Sequence, residues 1–197
     1  DLTGMTQGFI QALSTDGRFA LGKAYVNNKW KPIIINEAGI LTQLPITGAA
    51  QLGYSPLSIH QDGHAAGDLY YSGHGYDPVI WHRSTDSNTW AMQRLPAKTS
   101  SAIQLSRTGE LIAVWRAYSG NKYPVRVWTT ADGVVDLGTL GGRYTQVKAI
   151  NNTGAFVRYS QAPDANRSND LYKAFIVRRY TSGNWPIVPL ATDLGPP

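Results

Sequence analysis

Short apolar runs, each broken by a polar turn that contains glycine, follow one another along the whole chain. They read Phe19-Ala-Leu-Gly, Pro32-Ile-Ile-Ile, Ala65-Ala-Gly, Pro78-Val-Ile-Trp81, Leu111-Ile-Ala-Val-Trp115, Pro124-Val-Arg-Val-Trp128, Val147 to Ile150, Ala155 to Tyr159 and Lys173-Ala-Phe-Ile-Val. Runs of this length between turn residues predict β-strands joined by tight hairpins. The turn glycines set the period: Gly17, Gly63, Gly109 and Gly154 stand 46, 46 and 45 residues apart. Each follows a polar step such as Asp-Gly or Thr-Gly, which supplies the positive-φ residue of a tight hairpin.

Two further markers share the period. Pro32, Pro78 and Pro124, spaced by 46 residues, open a third strand. In the last repeat that strand is Lys173-Ala-Phe-Ile-Val, displaced by a longer loop from Pro163 to Asp170. A leucine closes each repeat, in Gln43-Leu-Pro, Arg94-Leu-Pro, Asp136-Leu-Gly and Pro189-Leu-Ala. Each repeat therefore predicts four short strands in a meander, over about 8–52, 53–99, 100–145 and 146–195, with 1–7 as the closing strand of a preceding unit. A single small sheet cannot bury both faces, so the units must stack. A unit of this size with four antiparallel strands matches a β-propeller blade. The expected fold is all-β, a β-propeller-like array of four blades in one repeat domain; a two-sheet β-sandwich is the alternative.

The wording Asp136-Leu-Gly-Thr-Leu-Gly-Gly142, followed by Ala149-Ile-Asn-Asn-Thr-Gly154, resembles the bacterial HAF extracellular repeat family. The pattern of that family is roughly DLGTLGG, then AIN-x-x-G-x-V-V-G-x-S, then HAF-x-W. Ala174-Phe175 is the nearest remnant of its last element. The resemblance implies a secreted or surface-displayed bacterial repeat protein, and it implies an architecture more than an activity.

Composition narrows the chemistry. With 197 residues the chain can bury one core, and its 20 Gly and 11 Pro suit many turns. The absence of Cys removes disulfides and thiolate sites. No apolar run is long enough to span a membrane, and Asp1 opens the chain without Met or a signal-like segment, as in a processed or trimmed protein. Charge is uneven. Residues 1–97 hold six Lys/Arg against seven Asp/Glu, net −1, while 98–197 hold twelve against six, net +6. A polyanion would be drawn to the second half.

Where the family pattern expects Gly, the last repeat carries Arg158, and the third carries Trp115-Arg116. These three are candidates to project into a channel mouth and bind ligand. The aromatics Tyr70, Tyr71, Trp90, Tyr118 and Trp185, with Arg143, are further candidates, since aromatic faces stack on sugar rings and attract cations. Trp30, Tyr76 and Tyr123 sit in comparable loops, whereas Trp81 and Trp128 read as core. The spacing His60-Gln-Asp62-Gly-His64 offers metal ligands, although Asp62-Gly63 falls in the same turn as Asp16-Gly17. Catalytic signals are absent: there is no Gly-x-Ser-x-Gly elbow and no phosphate loop, and the acids Glu37, Asp68, Asp77, Glu110 and Asp136 show no pairing.

These observations predict a non-catalytic, lectin-like binding or adhesion module without a cofactor. Its expected partner is a glycan or anionic surface polymer, with nucleic acid disfavoured, no membrane insertion, and self-association left open. A structural repeat segment of a larger surface protein, such as an autotransporter passenger, and a carbohydrate-active enzyme are the alternatives.

Overall fold

The computed structural model describes residues 3–47, 51–52, 58–84, 86–96, 99–108, 110–162, 171–178 and 184–189. Gly109, the 163–170 loop, Leu190 and the termini at 1–2 and 190–197 lie outside the described residues, as do Arg167, Arg179 and Tyr180. Two compact units divide the chain, Asp1–Leu105 and Ser106–Pro197.

The first sheet joins β1 (Met5–Leu13), β2 (Phe19–Val26), β3 (Lys29–Asn36) and β4 (Leu41–Gln43) in chain order. Met5 and Gln7 pair with Val26 and Tyr25, so 5–7 begin this sheet's own first strand. In the second sheet, β5 (Gln51–Leu52) and β6 (Ser58–Ile59) both pair with β7 (Ala65–Tyr71), which leads to β8 (Gly75–Ser84) and β9 (Thr89–Arg94). The third joins β10 (Thr99–Thr108), β11 (Glu110–Ala117), β12 (Val125–Thr129) and β13 (Gly133–Asp136). The fourth joins β14 (Thr145–Ile150), β15 (Phe156–Ala162), β16 (Leu171–Val177) and β17 (Ile187–Pro189). Four separate meanders replace the two large sheets a sandwich requires.

The predicted turn recurs with the same bonds. Gly17, Gly63 and Gly154 have φ of 74°, 86° and 79°. Their N–H groups donate to the carbonyls of Ser14, His60 and Asn151 at 3.0, 2.9 and 3.1 Å. A side chain cannot be added freely here. A Cβ on Gly63 would meet Arg83 Cδ at 2.5 Å, and one on Gly154 would meet Ile112 Cδ1 at 2.5 Å.

Each unit has its own apolar centre. In the first, Phe19, Leu21 and Ile34 pack with Ala65, Leu69, Val79 and Trp81. Trp81 donates its indole N–H to the Pro45 carbonyl at 2.7 Å, so its polar edge is also satisfied. In the second, Ile112, Val114, Val125 and Val127 pack with Val147, Phe156, Val177 and Trp185. Stacking of sheets buries faces that neither sheet could bury alone, the dominant favourable term in such a fold.

Candidate functional site

Within the second unit, the β11–β12 hairpin and the corner after β13 face each other. The hairpin tip closes through reciprocal backbone bonds between Ser119 and Lys122, both 3.1 Å, around Gly120 at φ 58°. Glycine at this place gives the turn the twist that a two-residue hairpin needs. Pro124 anchors the return, its carbonyl accepting from Ala117 N–H at 2.8 Å.

The corner explains why the sequence reads Asp-Leu-Gly-Thr-Leu-Gly-Gly. Asp136 accepts from Gly138 N–H at 2.8 Å and pairs with Arg126 Nε at 3.0 Å. Gly138 and Gly141 have φ of 62° and 100°. Gly142 donates to the Gln161 carbonyl at 3.2 Å, and an added Cβ there would sit 2.5 Å from that oxygen. Leu140 N–H donates to Ser160 Oγ at 3.3 Å. The glycines thus let the corner turn and lie flat on β15.

Between tip and corner lies a cleft of about 350 Å³, lined by Lys122, Pro124, Asp136, Gly138 and Thr139 among others. Beside it runs an aromatic row. Tyr118 meets Tyr123 at 5.4 Å, and Tyr123 stacks on Tyr144 at 4.9 Å with 11° between the ring planes. A parallel bridge joins the last two residues, with Tyr123 N–H donating to the Arg143 carbonyl at 2.9 Å. Arg116 lies 5.3 Å over the Tyr123 ring and Arg143 5.3 Å over Tyr144. Tyr118 is 47% exposed, and Lys122 and Arg143 are exposed. Lys122 lines the cleft, with Tyr123 beside it in sequence, and the one lining carboxylate among the described residues, Asp136, is held by Arg126. The cations and rings of the neighbouring row attract anions and offer flat apolar faces.

The structure brings Arg116, Tyr118 and Arg143 of the sequence candidates together and takes others away. Trp115 is 0% exposed. Its strand has both faces covered, since Ala113 and Val114 are buried with it, so strand alternation sends no side chain outward there. Arg158 is only 1% exposed, on the inward face of β15 with Phe156 and Ser160. Its Nη1 donates to the Gly138 carbonyl at 3.2 Å, while Nε and the other Nη have no hydrogen-bond partner among the described residues. Burial pushes this guanidinium down to about 10. It ties the corner to β15 and offers no surface to a ligand. Trp185 is buried against Phe156, 6.3 Å away, because it fills the core of the second unit. Tyr123 and Tyr144 carry the stack itself. The signal that marks them is an aromatic beside a cation on each side of the joint, Lys122-Tyr123 and Arg143-Tyr144.

In the first unit, Trp90 is a structural side chain, its indole donating to the Gly63 carbonyl at 2.9 Å. Tyr70 pairs with Tyr76 at 5.2 Å, and Tyr71 packs on the core with Arg94 4.8 Å over its ring. Both are half-buried. Asp77, buried, is bound by Arg94 and lies 3.1 Å from His74 Nε2. Asp68 pairs opposite Pro78, and Asp77 opposite Leu69. Directly paired residues share a face and successive ones alternate, so these two carboxylates emerge on opposite faces. The side chain of Glu110 lies outside the described residues.

The histidines follow the turn. His60 takes the position of Ser14 and Asn151, and its Nδ1 lies 2.8 Å from Asp62 Oδ1, as Ser14 Oγ donates to Asp16 at 2.7 Å. His64 Nδ1 accepts from Arg83 N–H at 3.1 Å, which spends that nitrogen's lone pair on the backbone. Among the described residues no three His, Cys, Asp or Glu side chains gather as a metal site. The turn explains the spacing that offered His60, Asp62 and His64 as ligands. Among the described residues, no helix is long and apolar enough to cross a membrane.

No family model matches the chain, and no curated protein matches it. Solved structures do. The β-propeller domain of the Trilobed protease from Pyrococcus furiosus, described as having an open velcro topology, is similar with a TM-score of 0.59 and 12% identity, over 94% of this chain and 58% of that one. An endo-1,4-β-xylanase from Bacteroides thetaiotaomicron is similar at a TM-score of 0.38 and 10% identity, over 96% of this chain and 76% of that one. The first likeness, with the four meander sheets, makes the fold β-propeller-like. The chain spans 58% of the length of that propeller domain.

Proposed function

We propose that this chain is a lectin-like binding module of a secreted or surface-displayed bacterial protein, and that it holds an acidic polysaccharide. The observation that carries the reading is the stack of Tyr123 on Tyr144, flanked by Arg116, Lys122 and Arg143 beside an open cleft. Sugar rings present apolar C–H faces that stack on aromatic rings, and the carboxylates or sulfates of an acidic polymer meet the cations. Binding is the whole activity in this reading, and catalysis has no part in it. The opposite-facing Asp68 and Asp77 support that side of it. The resemblance of 136–142 and 149–154 to extracellular repeats supports the location.

The test is retention of the purified chain on immobilised polygalacturonate, at low and at physiological salt, against neutral dextran. Retention on the acidic polymer that survives physiological salt, and drops in the double variant Arg116→Ala/Arg143→Ala, is the expected result. Equal retention on both polymers, or none on either, overturns the reading.

A further inference from the structure

Of the seven large hydrophobic side chains that stand exposed among the described residues, four belong to one strand. They are Met5, Phe9, Ile10 and Leu13 of β1, at 46%, 53%, 49% and 66% exposure. Every residue of the strand except Ala12 is exposed. Among the described residues β1 pairs with β2 alone, so its other edge presents backbone N–H and C=O groups to solvent. Natural proteins blunt such an edge with a charge or a proline, because it is a template for pairing with another strand. The run Met5-Thr-Gln-Gly-Phe-Ile-Gln-Ala-Leu13 contains neither. Register shifts at Thr6 and Gln11 bend its ends and leave Gln7 to Ile10 in regular pairing.

In chemical type the strand reads alike in both directions about Phe9. Outward from that ring stand Gly8 and Ile10, then Gln7 and Gln11, then the small Thr6 and Ala12, then Met5 and Leu13. Laid antiparallel to a second copy and centred on Phe9, the strand sets Phe9 on Phe9, Ile10 over the bare Gly8, Gln7 beside Gln11, and Met5 against Leu13. The faces agree with this register. Pairing with β2 puts Met5, Gly8, Ile10 and Leu13 on one face, with Val26, Ala24, Gly22 and Ala20, and puts Phe9 on the other with Lys23. Residues that oppose each other directly must share a face, as Ile10 and Gly8 do, and Met5 and Leu13. No charge lies in the strand, so none meets its twin across the joint. The face that carries Ile10 continues into the cluster of Ala24, Val26 and Ile33, with Leu41 packed on it. A strand from an unrelated protein would not require the mirrored pattern; a second copy does.

We infer that β1 is a self-association edge, through which two copies of this chain join their first sheets by antiparallel β1–β1 pairing centred on Phe9. The pairing uses residues of the first unit alone and does not depend on sugar binding. Each copy supplies the backbone donors and acceptors that the free edge of the other lacks, and Met5, Ile10 and Leu13 gain apolar neighbours. Because the same strand acts on both sides, the interface is isologous and closes at two copies.

The experiment is sedimentation velocity of the full chain across about a 100-fold range of concentration, where a dimer in equilibrium with monomer is expected. Phe9→Lys and Phe9→Glu each set like charges opposite at the centre, and each is expected to be a monomer that circular dichroism shows to be folded. Mixing the two variants sets opposite charges there and restores the dimer. Register is read by cross-linking, since the chain has no cysteine of its own. Opposed Cβ atoms lie about 4.5–5.5 Å apart, within reach of a disulfide after a small shift, so Phe9→Cys is expected to give a disulfide-linked dimer under mild oxidation. Met5→Cys, which faces Leu13 of the other copy, is not. A monomer at every concentration overturns the inference. So does a dimer that Phe9→Lys leaves intact, a mixture of the two charged variants that stays monomeric, or Met5→Cys linking as readily as Phe9→Cys. Should a charge at Phe9 unfold the chain, the two cysteine variants decide alone.

Discussion

Tyr123 and Tyr144 lie ring on ring at 4.9 Å, one entering β12 and the other entering β14, and so they fasten the third sheet to the fourth. The same contact that joins two sheets holds two half-buried rings nearly parallel. Replacing Tyr144 by Ala removes the stack and a sugar-facing ring together. Polygalacturonate affinity is expected to fall about five-fold, as for the loss of about 1 kcal/mol. Titration of the variant, with circular dichroism to check the fold, measures it. Unchanged affinity in a folded variant places the sugar elsewhere.

Arg158 is a cation with one hydrogen bond and no carboxylate among the described residues. Burying an uncompensated charge costs more than burying an apolar chain of similar volume. Arg158→Met is therefore expected to stabilise the protein by about 1 kcal/mol or more, read as a higher urea midpoint at constant slope. A lower midpoint would show that the bond to the Gly138 carbonyl outweighs desolvation.

Asp16 is held at about 2, below its ordinary 3.8, chiefly by the Ser14 hydroxyl and then by Arg18. A carboxylate with a lowered folded-state value adds stability above its unfolded value and loses it as protons are taken up. The turn at Gly17 is thus expected to weaken as pH falls from 3.8 towards 2. Asp16→Asn should flatten stability against pH in that window, in a series of thermal melts. An identical acid slope in the variant contradicts the assignment.

Gly142 has no space for a side chain, with Gln161 Cβ 2.4 Å from an added Cβ. Gly142→Ala must push the corner off β15, at an expected cost of about 1–3 kcal/mol. Since the corner lines the cleft with Gly138 and Thr139, polymer binding is expected to weaken as well. Denaturant unfolding and titration of the same sample test both parts.

The repeat was legible in the sequence because backbone sterics force its markers. A hairpin that needs positive φ selects glycine, and so Gly17, Gly63 and Gly154 announce the period before any packing is known. The third-strand prolines and closing leucines mark a different contact: the buried Leu44 and Leu95 donate their N–H groups to the carbonyls of Pro32 and Pro78, both at 2.9 Å. The site was only partly legible. Arg116, Tyr118 and Arg143 come together, yet Trp115 and Arg158 point inward. The choice of face in β11 was hidden because residues 111–115 are all buried and show no alternation. Trp185 looked like a loop aromatic, and its burial depends on Phe156, distant in sequence. The pairing of Tyr123 with Tyr144 was likewise invisible, since it depends on how one sheet meets the next.

In each sheet the strands pair with near neighbours along the chain, and among the described residues none is exchanged between sheets. That wiring has a consequence for birth rather than for binding. Loop closure stays inexpensive when partners are close in sequence, and rates of folding rise accordingly. A chain emerging from a ribosome can complete one sheet while the next is still unmade. Within each compact unit only the apolar faces must wait for their neighbour, so the hazard during synthesis is exposed sheet surface, and it ends when the second sheet of that unit arrives.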